Sequence, residues 1–138
     1  MKLTTKTRYG TRLLLDLGLH LEKGAVQMSE ISMRQSISVK YLEQLIRPLK
    51  KAGFVVSVRG PKGGHMLAKS PEKITLGQIT RLFEGSSDLV ECISDSDKCA
   101  KATDCVVRSA WKEATRALFN KLDAITIADL MSNSKCIE

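Results

Sequence analysis

The chain has 138 residues and a formal net charge of +7, and its length is typical of one domain or of one domain with an extension. Hydrophobic residues make up 43% of it and aromatic residues only 4%, so a core must be packed mainly from Leu, Ile and Val. No apolar run approaches the roughly 20 residues of a membrane span. The polar start MKLTTKTRYG argues against a signal peptide, so we expect a cytoplasmic protein.

Positive charge is concentrated in the first half of the chain. Residues 1–70 contain thirteen Lys and Arg against four Asp and Glu, a net +9, whereas residues 71–138 contain nine against eleven, a net −2. This asymmetry indicates a polyanion-binding module joined to a different segment. A basic surface that only keeps the protein soluble is the simpler interpretation, and charge alone leaves it open.

Residues 4–21 are predicted to form the first helix. Its apolar stripe recurs about every four residues and consists of Tyr9, Leu13, Leu14, Leu17 and Leu21. Lys6, Arg8 and Arg12 are expected to face solvent or a phosphate backbone.

Residues 28–51 carry a helix-turn-helix pattern. Ser29 is predicted to cap a short helix that ends near Gln35, and Ser36-Ile37 makes a tight break. Ser38 then caps a second helix with the sequence VKYLEQLIRPLKKA, in which Pro48 is expected to produce a kink or a break. Two short helices joined by about three residues fit a DNA-binding helix-turn-helix.

The second helix of this pair presents a polar face. Its members are Lys40, Tyr41, Glu43, Gln44 and Arg47. Lys and Gln can donate hydrogen bonds to base edges, Glu can accept one from cytosine, and Tyr can contact phosphate or a thymine methyl group. These residues are therefore predicted to bind DNA, although a generic helical hairpin with a charged face would look similar.

Residues 54–69 alternate apolar and polar side chains as a β-hairpin does. The turn region RGPKGGH carries glycines for a sharp tip, and Arg59 and Lys62 give it positive charge. A hairpin directly after a helix-turn-helix is the wing of a winged helix, where an arginine can enter a narrow minor groove. Arg59 and Lys62 are therefore predicted to contact DNA.

A short helix is predicted over residues 75–83, and a long one begins near Thr103. The apolar stripe of the long helix consists of Val107, Trp111, Ala114, Leu118, Leu122 and Ile125. So long a stripe favours a dimerisation helix, although packing on its own domain is the alternative. A short helix and a tail containing Cys136 complete the chain.

Three of the four cysteines lie in the polar stretch ECISDSDKCAKATDC. Six residues separate Cys92 from Cys99, and five separate Cys99 from Cys105. This stretch cannot bury a core, and thiolates are strong ligands for soft metals, so the pattern favours a metal centre or cluster. Redox or disulfide chemistry, or three ordinary thiols, are the alternatives.

Other classes of protein are less well supported. The chain lacks a Cys-x-x-Cys pair, which argues against a thiol oxidoreductase, and it has only two histidines to complete a zinc site. No combination of acid, base and nucleophile is recognisable, so the protein is predicted not to be an enzyme.

Several segments resemble the IscR/NsrR-type winged-helix regulators of bacteria, the Rrf2 family. They are MKLTTKTRYG, SVKYLEQLIRPLKKAGFVVSVRGPKGGHML, the three spaced cysteines and RSAW. The resemblance implies a mainly α fold with a small β-hairpin and a homodimeric transcription factor that binds a double-stranded DNA operator. It also implies that Cys92, Cys99 and Cys105 hold an iron–sulfur cluster, either 2Fe-2S or 4Fe-4S. The family's base readers correspond to Lys40, Glu43, Gln44 and Arg59.

The fourth cluster ligand departs from the family patterns. The IscR branch has histidine where this chain has Arg108, and the NsrR branch has an N-terminal aspartate where this chain has Arg8. Arginine stays protonated and is a very poor ligand. The fourth position is left to Cys136, to a carboxylate such as Asp104, to a small molecule, or open.

These observations predict three segments: a winged helix-turn-helix domain at 1–84, a cluster-binding loop at 85–105, and a dimerisation helix with a tail at 106–138. The cluster is expected to control DNA affinity and to report iron–sulfur, redox or nitric oxide status. One alternative is a cluster-free repressor of cysteine or sulfur metabolism that acts with a protein partner. A thiol or zinc redox switch is another.

Overall fold

The computed structural model describes residues 2–85 and 106–134. The helices of this part are α1 (Thr5–Leu19), α2 (Met28–Gln35), α3 (Val39–Lys51), α4 (Leu76–Glu84), α5 (Val106–Ala124) and α6 (Ile127–Ser132). Strands β1 (Val55–Val58) and β2 (Gly64–Leu67) pair antiparallel between α3 and α4, and 3-10 turns cover Leu21–Lys23 and Pro71–Lys73. The predicted mainly helical fold with one hairpin is confirmed. No helix in these residues is long and apolar enough to cross a membrane.

Helix α1 lies at the centre of the core. It contacts α2, α3, α4, α6 and β2, and its side chains Leu13, Leu14 and Leu17 are at most 1% exposed. The predicted stripe is therefore the buried face of this helix. The helix ends at Leu19 rather than at residue 21, because the chain then tightens into the 3-10 turn.

The helix-turn-helix forms as predicted, with two differences of detail. Helix α2 begins at Met28 after the extended residue Gln27, so Ser29 lies in its first turn and is not its cap. Helix α3 continues through Pro48 to Lys51, so this proline does not end the helix. Gly53 follows with a positive φ of 83°, as expected after the last turn.

The C-terminal elements are joined to α4 by backbone hydrogen bonds. Leu76 N donates to Ile125 O at 2.9 Å, and Ile127 N donates to Ile74 O at 2.8 Å. Thr75 caps α4 and Thr126 caps α6, each through a reciprocal capping box. These bonds fix the end of α5 and the whole of α6 beside the start of α4.

The long helix buries two residues that lie outside the apolar stripe predicted for dimerisation. Thr115 and Phe119 are buried, whereas Val107 is 59% exposed and Trp111 45% exposed. Leu118, Leu122 and Ile125 are half-buried. The second half of α5 therefore packs on its own domain, and the apolar residues of its first half remain exposed.

Candidate nucleic-acid interface

The turn between α2 and α3 is held rigidly. Ser36 adopts the left-handed conformation, with φ 55° and ψ 44°, and reverses the chain after α2. The Ser38 hydroxyl accepts a hydrogen bond from Tyr41 N at 3.2 Å, which confirms the predicted cap. The apolar side of the pair is buried at Ile31, Ile37, Leu42, Leu45, Ile46 and Leu49. Since these apolar residues fix one side of α3 against the core, the polar side of α3 faces outward.

The outward face of α3 is polar and mostly positive. Its exposed residues are Lys40, Glu43, Gln44, Arg47 and Lys51. Spacings of four, three and four place Lys40, Gln44, Arg47 and Lys51 on successive turns of one side, and Glu43 lies beside them. This is the donor and acceptor set that a recognition helix needs in a major groove.

Tyr41 occupies a different position from the other predicted DNA-binding residues. It is half-buried, its hydroxyl lies 2.9 Å from the hydroxyl of Thr5, and its ring meets that of Tyr9 edge-on at 5.9 Å. Its side chain therefore joins α3 to the start of α1. A direct contact between Tyr41 and DNA stays a prediction.

The hairpin is anchored to the segment before α2. Val26 and His65 exchange two backbone hydrogen bonds of 2.8 Å. At the tip, Gly63 N donates to Gly60 O at 2.9 Å, and Arg59 and Lys62 are exposed. Both predicted wing cations therefore lie on the solvent side of a fixed loop.

His65 is a structural residue of the wing. Its Nδ1 lies 3.0 Å from the Ser57 hydroxyl. Burial, and then the nearby Lys50 charge, lower the pKa of His65, so the ring is neutral at neutral pH.

A polar network that the sequence did not reveal holds α2 against α1. Arg34 donates to both oxygens of the fully buried Asp16 at 2.7 and 3.0 Å, and Gln35 Nε2 donates to Asp16 at 3.0 Å. Gln35 Oε1 accepts from Arg12 Nε at 3.1 Å. Arg12, predicted to face solvent or phosphate, thus serves as a link between the two helices. No local signal could have found this network, because Asp16 and Arg34 are 18 residues apart.

All four cysteines, Cys92, Cys99, Cys105 and Cys136, lie outside the described residues. Within residues 2–85 and 106–134 no group of three or more His, Cys, Asp or Glu could hold a metal ion. Arg8 is exposed, with its guanidinium 5.8 Å from the Tyr9 ring, and Arg108 lies half-buried in the first turn of α5.

Sequence comparison places the chain among transcriptional regulators. Residues 3–133 match the Rrf2 model, described as an iron-dependent transcriptional regulator. The chain is 44% identical over 134 residues to the protein rrf2 of Nitratidesulfovibrio vulgaris Hildenborough, covering 97% of this chain and 89% of that protein. It is 40% identical over 138 residues to the HTH-type transcriptional regulator IscR of Vibrio vulnificus YJ016, covering 100% and 82%. These relatives are transcriptional regulators and not enzymes.

Solved structures agree with this assignment. IscR of T. potens superposes with a TM-score of 0.79 at 36% identity, covering 98% of this chain and 89% of that one. CymR of B. subtilis, described as the global cysteine regulator of that organism, superposes with a TM-score of 0.82 at 35% identity, covering 98% and 99%. The chain therefore belongs to the Rrf2 family of winged-helix transcriptional regulators.

Proposed function

We propose that this protein reads a specific operator through α3 and its wing, and that an iron–sulfur cluster on Cys92, Cys99 and Cys105 controls its DNA affinity. One observation carries the operator reading: Ile31, Ile37 and the four α3 residues Leu42, Leu45, Ile46 and Leu49 are buried, and Lys40, Glu43 and Gln44 are exposed together on α3. A helix presented in this way fits a major groove. Arg59 and Lys62 on the hairpin can contact the adjacent minor groove and the phosphates.

Operator binding is tested with duplexes that the wild-type protein selects from a random-sequence pool. Gln44→Ala and Arg59→Ala are expected to weaken binding to the selected duplex by about 1–3 kcal/mol and to relax its base preference. Glu43→Ala is expected to relax the base preference, even though the loss of a negative charge by itself favours binding to DNA. Lys62→Ala is expected to weaken binding to all duplexes alike. It is also expected to lower the salt dependence of the affinity by the amount that about one phosphate contact contributes. Affinity is measured at several fixed salt concentrations.

Lys112→Ala is the matched control, because Lys112 is an exposed cation on α5. It is expected to leave the base preference unchanged. Variants at Glu43 and Gln44 that kept the wild-type preference would refute the assignment of α3 as the reading helix.

The cluster proposal rests on three cysteines in a polar segment and on the description of the matching family as an iron-dependent transcriptional regulator. When bound, such a cluster supplies a redox-sensitive and gas-sensitive centre. Neither Arg8 nor Arg108 can complete its ligand set, because a guanidinium has no free lone pair for a metal. Cys136, Asp104, a small molecule or an open position is left for the fourth site, and an open position would suit a sensor of nitric oxide or redox state.

Anaerobic purification from iron-replete cells tests the cluster. We expect a coloured protein with matched iron and sulfide, and loss of both in Cys92→Ala, Cys99→Ala and Cys105→Ala. Cys136→Ala is expected to keep its colour, whereas its loss of colour would identify Cys136 as the fourth ligand. Colourless, iron-free wild-type protein would refute the proposal, and its zinc content would then distinguish a zinc protein from a thiol switch.

A second candidate function is supported by the likeness to CymR of B. subtilis, the global cysteine regulator of that organism. In this case the chain would regulate cysteine or sulfur metabolism without a cluster and together with a protein partner. An iron-free protein that still selects an operator would favour this alternative.

We also propose that two copies bind one operator. The apolar residues Val106, Val107 and Trp111 are exposed on the first half of α5, at 82, 59 and 45%. A groove of about 270 Å³ between α1, α4 and α5 is lined by Leu3, Leu76 and Leu122 together with Thr7, Arg8, Thr11 and Thr80. A second α5 would cover such a surface, and the complexes with selected duplex are expected to contain two chains, which sedimentation measures.

A further inference from the structure

A carboxylate from a distant part of the sequence holds the first turn of α1. Glu84 Oε1 accepts hydrogen bonds from Thr4 N at 2.8 Å, from Thr4 Oγ1 at 2.9 Å and from Thr7 Oγ1 at 2.5 Å. Thr4 is the N-cap residue of α1, but its own side chain makes no capping bond. Glu84 therefore accepts the N–H of the N-cap residue, as the N3 carboxylate of a capping box does, and its negative charge interacts favourably with the helix dipole.

Glu84 is ionised at neutral pH. Its hydrogen bonds, first the one from Thr7, hold the pKa of Glu84 below its ordinary value of 4.5 even though partial burial opposes this. Hydrogen bonds to a charged acceptor are stronger than those between neutral groups. The three bonds to Glu84 therefore hold Thr4 and Thr7 in place although Glu84 is only half-buried.

The same turn of α1 contacts the start of α3. Thr5, which lies between the two threonines that bind Glu84, has its hydroxyl 2.9 Å from that of Tyr41. One turn further along α1, Tyr9 meets the Tyr41 ring edge-on, with an interplanar angle of 88°. Tyr41 is in the first turn of α3, beside Lys40 and one turn before Gln44. A shift of the α1 turn would therefore be passed to the part of α3 that faces the operator.

We propose that Glu84 is a positioning residue for DNA recognition: it fixes the first turn of α1, and through Thr5 and Tyr9 that turn fixes Tyr41 and the orientation of α3. The inference rests on the proposed operator reading by α3. Glu84 itself does not contact DNA. A residue that only stabilised the fold would change the melting temperature but not the preference between a selected and a scrambled duplex.

The test uses full-length protein, a duplex selected from a random pool by the wild type, and a scrambled duplex of the same composition. Glu84→Ala is expected to weaken binding to the selected duplex by about tenfold, an ordinary magnitude for an effect passed on to a binding site, and to leave affinity for the scrambled duplex almost unchanged. Tyr41→Phe, which deletes only the hydroxyl group, is expected to produce a smaller loss of the same kind. The variant with both changes is expected to bind the selected duplex as well as Glu84→Ala does. Both changes interrupt the same series of contacts from Glu84 through α1 to Tyr41, so their effects do not add.

Two further variants keep the result interpretable. Glu84→Gln retains an acceptor oxygen and is expected to restore most of the selected-duplex affinity, even if Glu84→Ala folds poorly. Glu22→Gln makes the same change of charge on an exposed turn. It is expected to change the affinity for both duplexes by the same factor.

Equal weakening of both duplexes by Glu84→Ala, or losses that multiply in the double variant, would overturn the inference. A wild-type protein that enriches no sequence from the pool would overturn the proposed function, and this inference with it.

Discussion

Replacing Asp16 by alanine is expected to lower the free energy of unfolding by about 3 kcal/mol, because it leaves the donor groups of two side chains in a buried network without an acceptor. Asp16 is 0% exposed and accepts from Arg34 at both oxygens and from Gln35 at one. Arg34 is 29% exposed and can regain water, but Gln35 is only 4% exposed and cannot. For a domain of this size the loss corresponds to about 10 °C in the melting temperature.

Asp123→Ala is the matched control for this prediction. Asp123 also accepts two hydrogen bonds from one arginine, Arg81, at 2.7 and 2.9 Å, but the two side chains are 42 and 44% exposed. Solvent screens such a pair, so its loss is expected to cost less than about 1 kcal/mol. Denaturant unfolding of both variants measures the difference. Equal losses would show that burial is not what makes the Asp16 network important.

Replacing Gly64 by alanine is expected to cost about 3 kcal/mol and to weaken operator binding, because the wing cannot keep its place. Gly64 has a φ of 150°, and a Cβ atom there would lie 2.3 Å from Val26 O and 2.5 Å from Val26 C. These are backbone atoms of the bridge between Val26 and His65, so they cannot rotate away. The hairpin would have to separate from the segment before α2.

Gly60→Ala is the control that distinguishes the cost of the close contact at Gly64 from the cost of backbone strain. Gly60, at the tip of the same hairpin, also has a positive φ of 110°, but nothing lies within 4 Å of its added Cβ atom. Its replacement is expected to cost about 1 kcal/mol, from strain alone. Chemical denaturation and operator affinity are measured for both variants. If the two glycines proved equally sensitive, the approach of Val26 would not be the constraint.

The sequence was informative wherever a local rule decided the structure. The buried stripe of α1, the Ser38 cap and the presence of the hairpin each depend on residues a few positions apart, and the structure confirms them. The outward polar residues of α3 were predictable for the same reason. Periodicity that buries Leu42, Leu45, Ile46 and Leu49 leaves Lys40, Glu43 and Gln44 on the other side. The two predicted sets of the hairpin do not divide by burial, because Val55 is buried whereas Val56 and Val58 are exposed.

Tyr41, whose contact with DNA stays a prediction, shows what periodicity does not decide. Its polar hydroxyl suggested a place on the DNA-facing side, but position 41 lies between the buried and exposed faces of α3. The neighbouring Tyr9 and Thr5, 32 and 36 residues away in the sequence, determine where its side chain packs. The long helix shows the same limit. A periodic stripe identified α5 as amphipathic, but the position of α4 decided that Phe119 is buried and Trp111 exposed.

The sequence by itself thus determined the order of elements, the helix-turn-helix with its wing, the family, and the three cysteines proposed as ligands. Only the tertiary structure decided which polar side chains meet: Asp16 with Arg34, Thr5 with Tyr41, and Glu84 with Thr4 across 80 residues. The physical reason is the sequence separation over which each kind of interaction acts. Helix caps and apolar periodicity act over one to two turns, whereas the partner of a polar group far along the chain is fixed only when the hydrophobic core brings the helices together.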